Sequence, residues 1–282
     1  MQKDLARQWA EQGFIHVPSL FSKTEIERLL NICNRIREQA FIADPTSDVP
    51  AKPNGHCFRH LNHPDYFKGR QDEYIFMMNT ICDERILSVV NTILNQKALF
   101  RTTSYFYEPK DGILDGNWHR DTQFGLKIES EENAKILECA KLPSTGVQMQ
   151  IALEPSEDVE FVPRSHKRWD TPEEYNIRLA NNQTNNRSNE MPNALRFIQK
   201  PGDMIAFDPN GLHRGRYHSN KIRRTLMLTY STVANFDYFT NQPWLLNKEN
   251  ISILPPKTQV FFNQFVDAFK HHWQPQETAG AI

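Results

Sequence analysis

Two hydrophobic rhythms divide the chain. Up to about residue 96 the apolar positions recur at helical spacing. Ile26, Leu29, Leu30, Cys33 and Ile36 form one i, i+3, i+4 stripe, and Ile86, Leu87, Val90, Ile93 and Leu94 form a second over Asp83 to Asn95. This is the pattern of helices with one buried face. Ser22-Lys23-Thr24-Glu25 opens the first as a capping box, the serine accepting from the third helical amide and the glutamate reaching back. Between the two, Pro45 to Lys68 carries four prolines and Asn54-Gly55, which predicts a long loop. In a compact domain a loop of this length points to a functional cover.

From Ala98 onward the period becomes two. Arg101, Thr103, Tyr105 and Tyr107 alternate with Thr102, Ser104 and Phe106; Val147, Met149, Ile151 and Leu153 alternate with Gln148, Gln150 and Ala152. Successive side chains of a strand point to opposite faces, so Gln148 and Gln150 lie opposite an apolar face, and we read them as lining a wet cavity on the cofactor side. Short strands separated by Pro, Gly and Asp turns predict a double-sheet jelly roll. Past Tyr230 comes an aromatic tail, Phe236, Tyr238, Phe239 and Trp244, and a closing helix predicted over Val260 to Trp273. The expected class is an all-β core with helical additions, α+β. It forms one domain over 1–282: a helical part to about 96, a jelly-roll core over about 97–232 and a C-terminal extension from about 233.

Composition changes this picture only by exclusion. With 282 residues, 39% hydrophobic and 24% charged, the chain is ordinary globular material with room for a large core. A net charge of −1 offers no field for nucleic acid or anionic lipid, and no run approaches the ~18 apolar residues of a membrane span. Met1-Gln2-Lys3-Asp4 lacks the apolar core of a signal peptide. Cys33, Cys57, Cys82 and Cys139 have no paired spacing, which argues against a zinc ribbon or a disulfide framework and fits a reducing compartment. The expectation is a cytoplasmic protein, monomer or homodimer, that handles a small molecule.

The chemistry sits in Asn117-Trp118-His119-Arg120-Asp121-Thr122-Gln123. On a strand, positions i and i+2 share a face, so His119 and Asp121 can offer a nitrogen and a carboxylate oxygen to one metal ion. Alone, His-x-Asp is a weak signal. His213, at the end of Phe207-Asp208-Pro209-Asn210-Gly211-Leu212-His213, supplies a third ligand. Two histidines and one carboxylate with other positions open make the facial triad of non-haem Fe(II) oxygenases. Arg223 and Arg224, ten and eleven positions past His213, offer a cationic fork for the far carboxylate of a dicarboxylate cosubstrate. Arg224 shares its strand face with Leu226, Leu228 and Tyr230, which suits packing on helices. Arg223, sharing a face with Thr225, Met227 and Thr229, is therefore predicted to point into the barrel and is the first choice, with Arg224 second.

Four stretches carry a likeness to a known family: Gln12-Gly13-Phe14-Ile15-His16-Val17-Pro18 before a helix; Trp118-His119-Arg120-Asp121; Phe161-Val162-Pro163-Arg164-Ser165-His166-Lys167; and Pro201-Gly202-Asp203 through His213 to Arg223. In these the chain resembles the phytanoyl-CoA dioxygenase family of oxygenases, from about Leu5 to about Tyr230. The resemblance implies the same jelly roll, Fe(II), 2-oxoglutarate and O₂ as cofactors, and His119, Asp121 and His213 as metal-binding catalytic residues. Two departures stand out. Arg164 replaces the usual Gly between Pro163 and Ser165, and Glu157-Asp158 replaces the usual Asn-Gly. Neither touches a ligand.

Asp121 favours hydroxylation, or a related desaturation or demethylation, over halogenation, which needs its coordination position vacated. Arg59, Arg164, Arg214 and Arg216 fall in segments expected near the pocket mouth, with Tyr105 and Phe124 as candidate walls, so the expected substrate is an acidic or zwitterionic metabolite resembling a natural product. His56, His60 and His63 lack an acidic partner and read as part of the cover, not as a second metal site. The competing readings are a cupin-type metal-dependent isomerase and a non-catalytic binding protein on the same barrel. The arginines after His213 speak against the first, and the three intact ligands against the second.

Overall fold

The fold was analysed in a computed structural model, which describes residues 2–43, 56–113, 115–124, 126 and 128–273. The chain opens with helix α1 (Gln2–Gln12), strand β1 (Phe14–Val17), helix α2 (Lys23–Ala43) and strand β2 (Cys57–Arg59). Helices α3 (Gln71–Ile81) and α4 (Glu84–Leu94) lead into the long strand β3 (Leu99–Tyr107). Helix α5 (Glu129–Cys139) precedes strands β4 (Gly146–Ala152) and β5 (Ser156–Phe161), then helices α6 (Pro172–Arg178) and α7 (Ala180–Gln183). Strands β6 (Leu195–Gln199), β7 (Met204–Phe207), β8 (His213–Gly215) and β9 (Arg224–Ser231) follow, and helices α8 (Glu249–Ser252) and α9 (Pro256–Trp273) close the described chain.

The predicted caps are where local chemistry requires them. Ser22 N donates to Glu25 Oε2 at 2.8 Å and Glu25 N to Ser22 Oγ at 3.4 Å, starting α2. Asp83 accepts from Arg85 N to start α4, and Asn95 ends it in the left-handed conformation, φ 55°.

Among the described residues nine strands form two antiparallel sheets, one ordered β1-β7-β4-β9-β3-β2 and the other β6-β5-β8. Their inner faces meet through Val159, Phe161 and Phe197 of the small sheet and Ile205 and Phe207 of the large one, which makes the predicted jelly roll. The outer face of the large sheet carries Val147, Met149, Ile151, Leu226, Leu228 and Tyr230, all buried under α1 to α4 and α9. Burying a side chain of this size contributes roughly 1.5–3 kcal/mol, so this outer layer supplies most of the cohesion. The inner face is thereby free to be polar and hollow. No helix among the described residues is long and apolar enough to cross a membrane.

Three expectations need correction. The N-terminal part is not purely helical, because β1 and β2 form the two edges of the large sheet. The proposed loop from Pro45 to Lys68 lies outside the described residues as far as 55; beyond it, Cys57–Arg59 pairs with Phe106–Ser104 as β2. His60 and His63 pack on Trp244 in the folded body, which does not suit a free cover. Finally, the segment around His119 is a single bridge to His213, followed by a 3-10 turn over Asp121–Gln123, not a strand.

Candidate metal centre and its cavity

His119 and His213 face each other across that bridge. Each donates its backbone N–H to the other's carbonyl, at 3.1 and 3.0 Å, and Asp121 N donates to Pro209 O at 2.8 Å. Arg120 between the ligands is extended, φ −120° and ψ 139°, so His119 and Asp121 still project to one side although no strand forms. Nε2 of His119 and Nε2 of His213 each lie 3.6 Å from Asp121 Oδ1, and the three ligand atoms fall within 4.8 Å of one another.

The ring orientations are fixed from behind. Nδ1 of His119 lies 2.7 Å from Asn117 O and Nδ1 of His213 lies 2.9 Å from Gly211 O. A carbonyl only accepts, so each Nδ1 carries the proton and each Nε2 presents a lone pair to the shared point. Burial, with the neighbouring His119 imidazole adding to it, holds His213 well below the usual imidazole range, which keeps it neutral. Gln148 Nε2 donates to Asp121 Oδ2, leaving Oδ1 free. Asp121 lies deep in the cavity, and withdrawal from solvent raises its pKa against the opposing pull of His119, the Gln148 hydrogen bond, Arg101 and Arg59. Two neutral imidazoles and one carboxylate, all aimed at one point, fit a divalent first-row metal ion.

Arg120 locks this geometry to the rest of the barrel. Its side chain is fully buried; Nη1 donates to Ser165 O at 2.6 Å and Asn210 O at 2.7 Å, and Nη2 to Asp170 Oδ1 at 2.8 Å. Asp170 in turn takes Arg178 Nε at 2.6 Å, and Arg178 reaches Glu132. The turn that Arg120 holds contains Arg164 with φ 65°, a conformation that suits glycine. This accounts for the family's usual residue there.

A cavity of about 860 Å³ surrounds the three ligands, lined by the inward residues Thr102, Phe106, Gln148, Gln150, Met227 and Thr229. Arg223 is buried, its guanidinium stacked 4.2 Å from the Tyr217 ring centroid and 5.1 Å from that of Phe106. Nη1 donates to Arg216 O at 2.9 Å. Nε and Nη2 have no hydrogen-bond partner, Asp158 standing 3.9 Å from Nε. The inward Ser104 Oγ, Thr225 Oγ1 and Gln150 Oε1 are likewise buried without partners. A buried polar group normally has one, so this cluster fits a carboxylate ligand that completes it. Arg224 points the other way, to Glu108 and to Asn34 Oδ1 at 2.9 Å.

Of the predicted substrate residues, Phe124, Arg59 and Arg214 line the cavity, Phe124 with its ring 5.6 Å from that of His119. Tyr105 and Arg216 require correction, and Arg214, though on the lining, has its donors taken by the protein. Tyr105 faces the helices and donates to Asn34 Oδ1 at 2.8 Å. Arg214 is buried in the barrel wall, its fork taken by Glu160, Arg187 O and Asn189. Arg216 is committed to Asp115 and Glu160. Arg101 was missed. The β3–β9 register slips between Phe100 and Thr102, and this bulge turns Arg101 into the cavity beside Thr102.

The profile of the family described as phytanoyl-CoA dioxygenase matches residues 9–225. No curated protein sequence matches the chain. Among solved structures, HygX from Streptomyces hygroscopicus, with nickel and 2-oxoglutarate bound, superposes with TM-score 0.59 at 15% identity, covering 82% of this chain and 87% of its own. EctD from S. alaskensis, with 2-oxoglutarate and 5-hydroxyectoine, gives 0.58 at 17% identity over 82% and 76%. The non-haem α-ketoglutarate-dependent epimerase SnoN of nogalamycin biosynthesis gives 0.54 at 15% identity over 81% of each chain. At these identities the likeness is one of fold.

The network around Arg120 makes a stability prediction. Removing one member of a buried ion-pair network costs about 3–5 kcal/mol, so Arg120→Ala should lose that much in denaturant unfolding of the metal-free protein. Arg120→Lys, which keeps the charge but not the fork, should fall between. A loss below about 1 kcal/mol in the alanine variant would show that the network does not hold the site.

Proposed function

Because the chain belongs to the phytanoyl-CoA dioxygenase family, we propose that it is an Fe(II)- and 2-oxoglutarate-dependent dioxygenase acting on a small-molecule metabolite. One observation carries the reading: three convergent metal-ligand atoms line a cavity whose wall residues Phe106 and Tyr217 stack on the buried, incompletely bonded guanidinium of Arg223. His119, Asp121 and His213 would hold the iron, and Arg223, with Thr225 and Ser104, the far carboxylate of 2-oxoglutarate. When bound, iron and cosubstrate would supply the electrons that activate O₂ for oxidation of a substrate C–H bond; the protein supplies position and surroundings.

The chain's own residues divide that work. Asn117 O and Gly211 O hold the imidazoles in the ligating tautomer, and Gln148 aims Asp121. Phe124 stands over His119 at the solvent side, where a substrate would displace water and be held against the metal face. Hydroxylation is the reading favoured by the retained carboxylate at Asp121, with desaturation or demethylation as variants on the same site. A cupin-type isomerase would have no use for the unsatisfied Arg223.

Two outcomes test the proposal. Anaerobic addition of Fe(II) and 2-oxoglutarate should raise the weak visible charge-transfer band of the chelate, and Asp121→Ala should abolish both the band and iron-dependent succinate release. A variant that turns over near the wild-type rate would remove Asp121 from the site. Loss of one partner of a buried charge pair costs roughly 2–5 kcal/mol, so Arg223→Ala should weaken 2-oxoglutarate binding by about thirtyfold or more, tenfold being ~1.4 kcal/mol. Arg224→Ala should change it by less than about threefold; the reverse order would assign the cosubstrate to Arg224.

A further inference from the structure

Arg59 is a cation in this cavity that the protein leaves unanswered. It ends β2, in register with Ser104 of β3, and lines the cavity. Its guanidinium carbon lies 5.1 Å from the Phe239 ring centroid, and its Nε is buried with no hydrogen-bond partner. No carboxylate among the described residues comes within ion-pair distance. The other arginines lining the cavity are engaged: Arg214 with Glu160 and Asn189, and Arg101 through Nη2 with Asp237. Arg101, turned inward by the bulge, has its guanidinium carbon 5.9 Å from the same Phe239 ring.

The charge count around the ring is therefore uneven. Asp237 balances Arg101 while also capping the 3-10 turn that carries Phe239, and Asp121 is turned to the two histidines. Burial lowers the pKa of the nearby His60 to about 4 and also lowers that of His56, so neither adds charge at neutral pH. One guanidinium remains, half withdrawn from water, and an unpaired charge in such a place is costly unless a ligand answers it. A guanidinium fork pairs with planar or tetrahedral oxyanions.

We infer that Arg59, flanked by Arg101 and Phe239, is the substrate's anion site: the molecule oxidised here carries a carboxylate or phosphate held by Arg59, with its apolar body against Phe239. The inference rests on the oxygenase reading above. The far carboxylate of 2-oxoglutarate is not the better occupant. Arg223 is deep and nearly inaccessible, whereas Arg59 is half-buried on an edge strand at the open side, where the larger and more variable molecule enters.

The test uses the full chain loaded with Ni(II) and 2-oxoglutarate, and three probes of one shape: benzoate, phenyl phosphate and benzamide, with binding read by calorimetry. A hydrogen bond to a charged group contributes about 1.5–3 kcal/mol, so at least one of the two anions should bind roughly tenfold or more tightly than the amide. Whichever anion binds more tightly identifies the oxyanion as carboxylate or phosphate. Arg59→Gln should reduce that anion to the level of the amide, and Arg59→Lys should fall between. Equal binding of benzamide and the anions, or undiminished anion binding in Arg59→Gln, would overturn the inference. An equal loss of 2-oxoglutarate affinity in Arg59→Gln would also overturn it, by handing Arg59 to the cosubstrate. Failure of the wild-type protein to form the Fe(II) and 2-oxoglutarate band would instead sink the oxygenase reading. A band that forms without discrimination between acid and amide sinks only the anion site.

Discussion

A buried guanidinium between two metal ligands is the constraint on which the site depends. His119 and Asp121 are set by a single β-bridge and a 3-10 turn, too little regular structure to hold ligand atoms in place by itself. Arg120 compensates by binding two backbone carbonyls and one carboxylate from two separate stretches, 165–170 and the turn at Asn210. Ser165, Asn210 and Asp170 thus become one rigid body with the ligands. The desolvation cost of such a charge is large, and full hydrogen bonding is what offsets it. The site is held by a polar network inside a barrel whose cohesion comes from the opposite, helix-covered face of the large sheet.

That division of labour explains which parts of the protein could be read from sequence. The helices of α2 and α4 and the alternation of β4 and β9 follow from one face being apolar, and the facing of Arg223 came directly from the apolar run Leu226, Leu228 and Tyr230. Strand β3 gave no such guide. Its two faces, Thr102-Ser104-Phe106 and Thr103-Tyr105-Tyr107, are equally mixed, so nothing in the pattern marked Tyr105 as packed on the helices. Nor does alternation survive a bulge, which is why the pattern did not mark Arg101 as a cavity residue. Arg214 and Arg216 failed for another reason: their partners Glu160 and Asp115 are distant in sequence, and only the fold brings them together.

The inner surface also shows a gradient from deep to shallow. Arg223, Ser104, Thr225 and Gln150 leave hydrogen-bonding atoms unsatisfied at the bottom of the barrel, while Arg59 leaves charge unsatisfied nearer the opening. An interior normally completes its own polar groups. Where it does so elsewhere in this protein, as around Arg120 and Arg214, the arginines are structural. At the cavity, incomplete satisfaction separates Arg59 and Arg223 from Arg214, whose fork is fully taken by the wall.

Whether the three ligand atoms and Arg223 form one preformed site is decided by a crystal structure of the protein with Mn(II) and 2-oxoglutarate, recorded with anomalous data. We expect a single strong anomalous peak bonded to Nε2 of His119, Oδ1 of Asp121 and Nε2 of His213, with the far carboxylate of 2-oxoglutarate on Arg223. A metal bound elsewhere, or the cosubstrate anchored on Arg224 or Arg59 with Arg223 still unsatisfied, would contradict it.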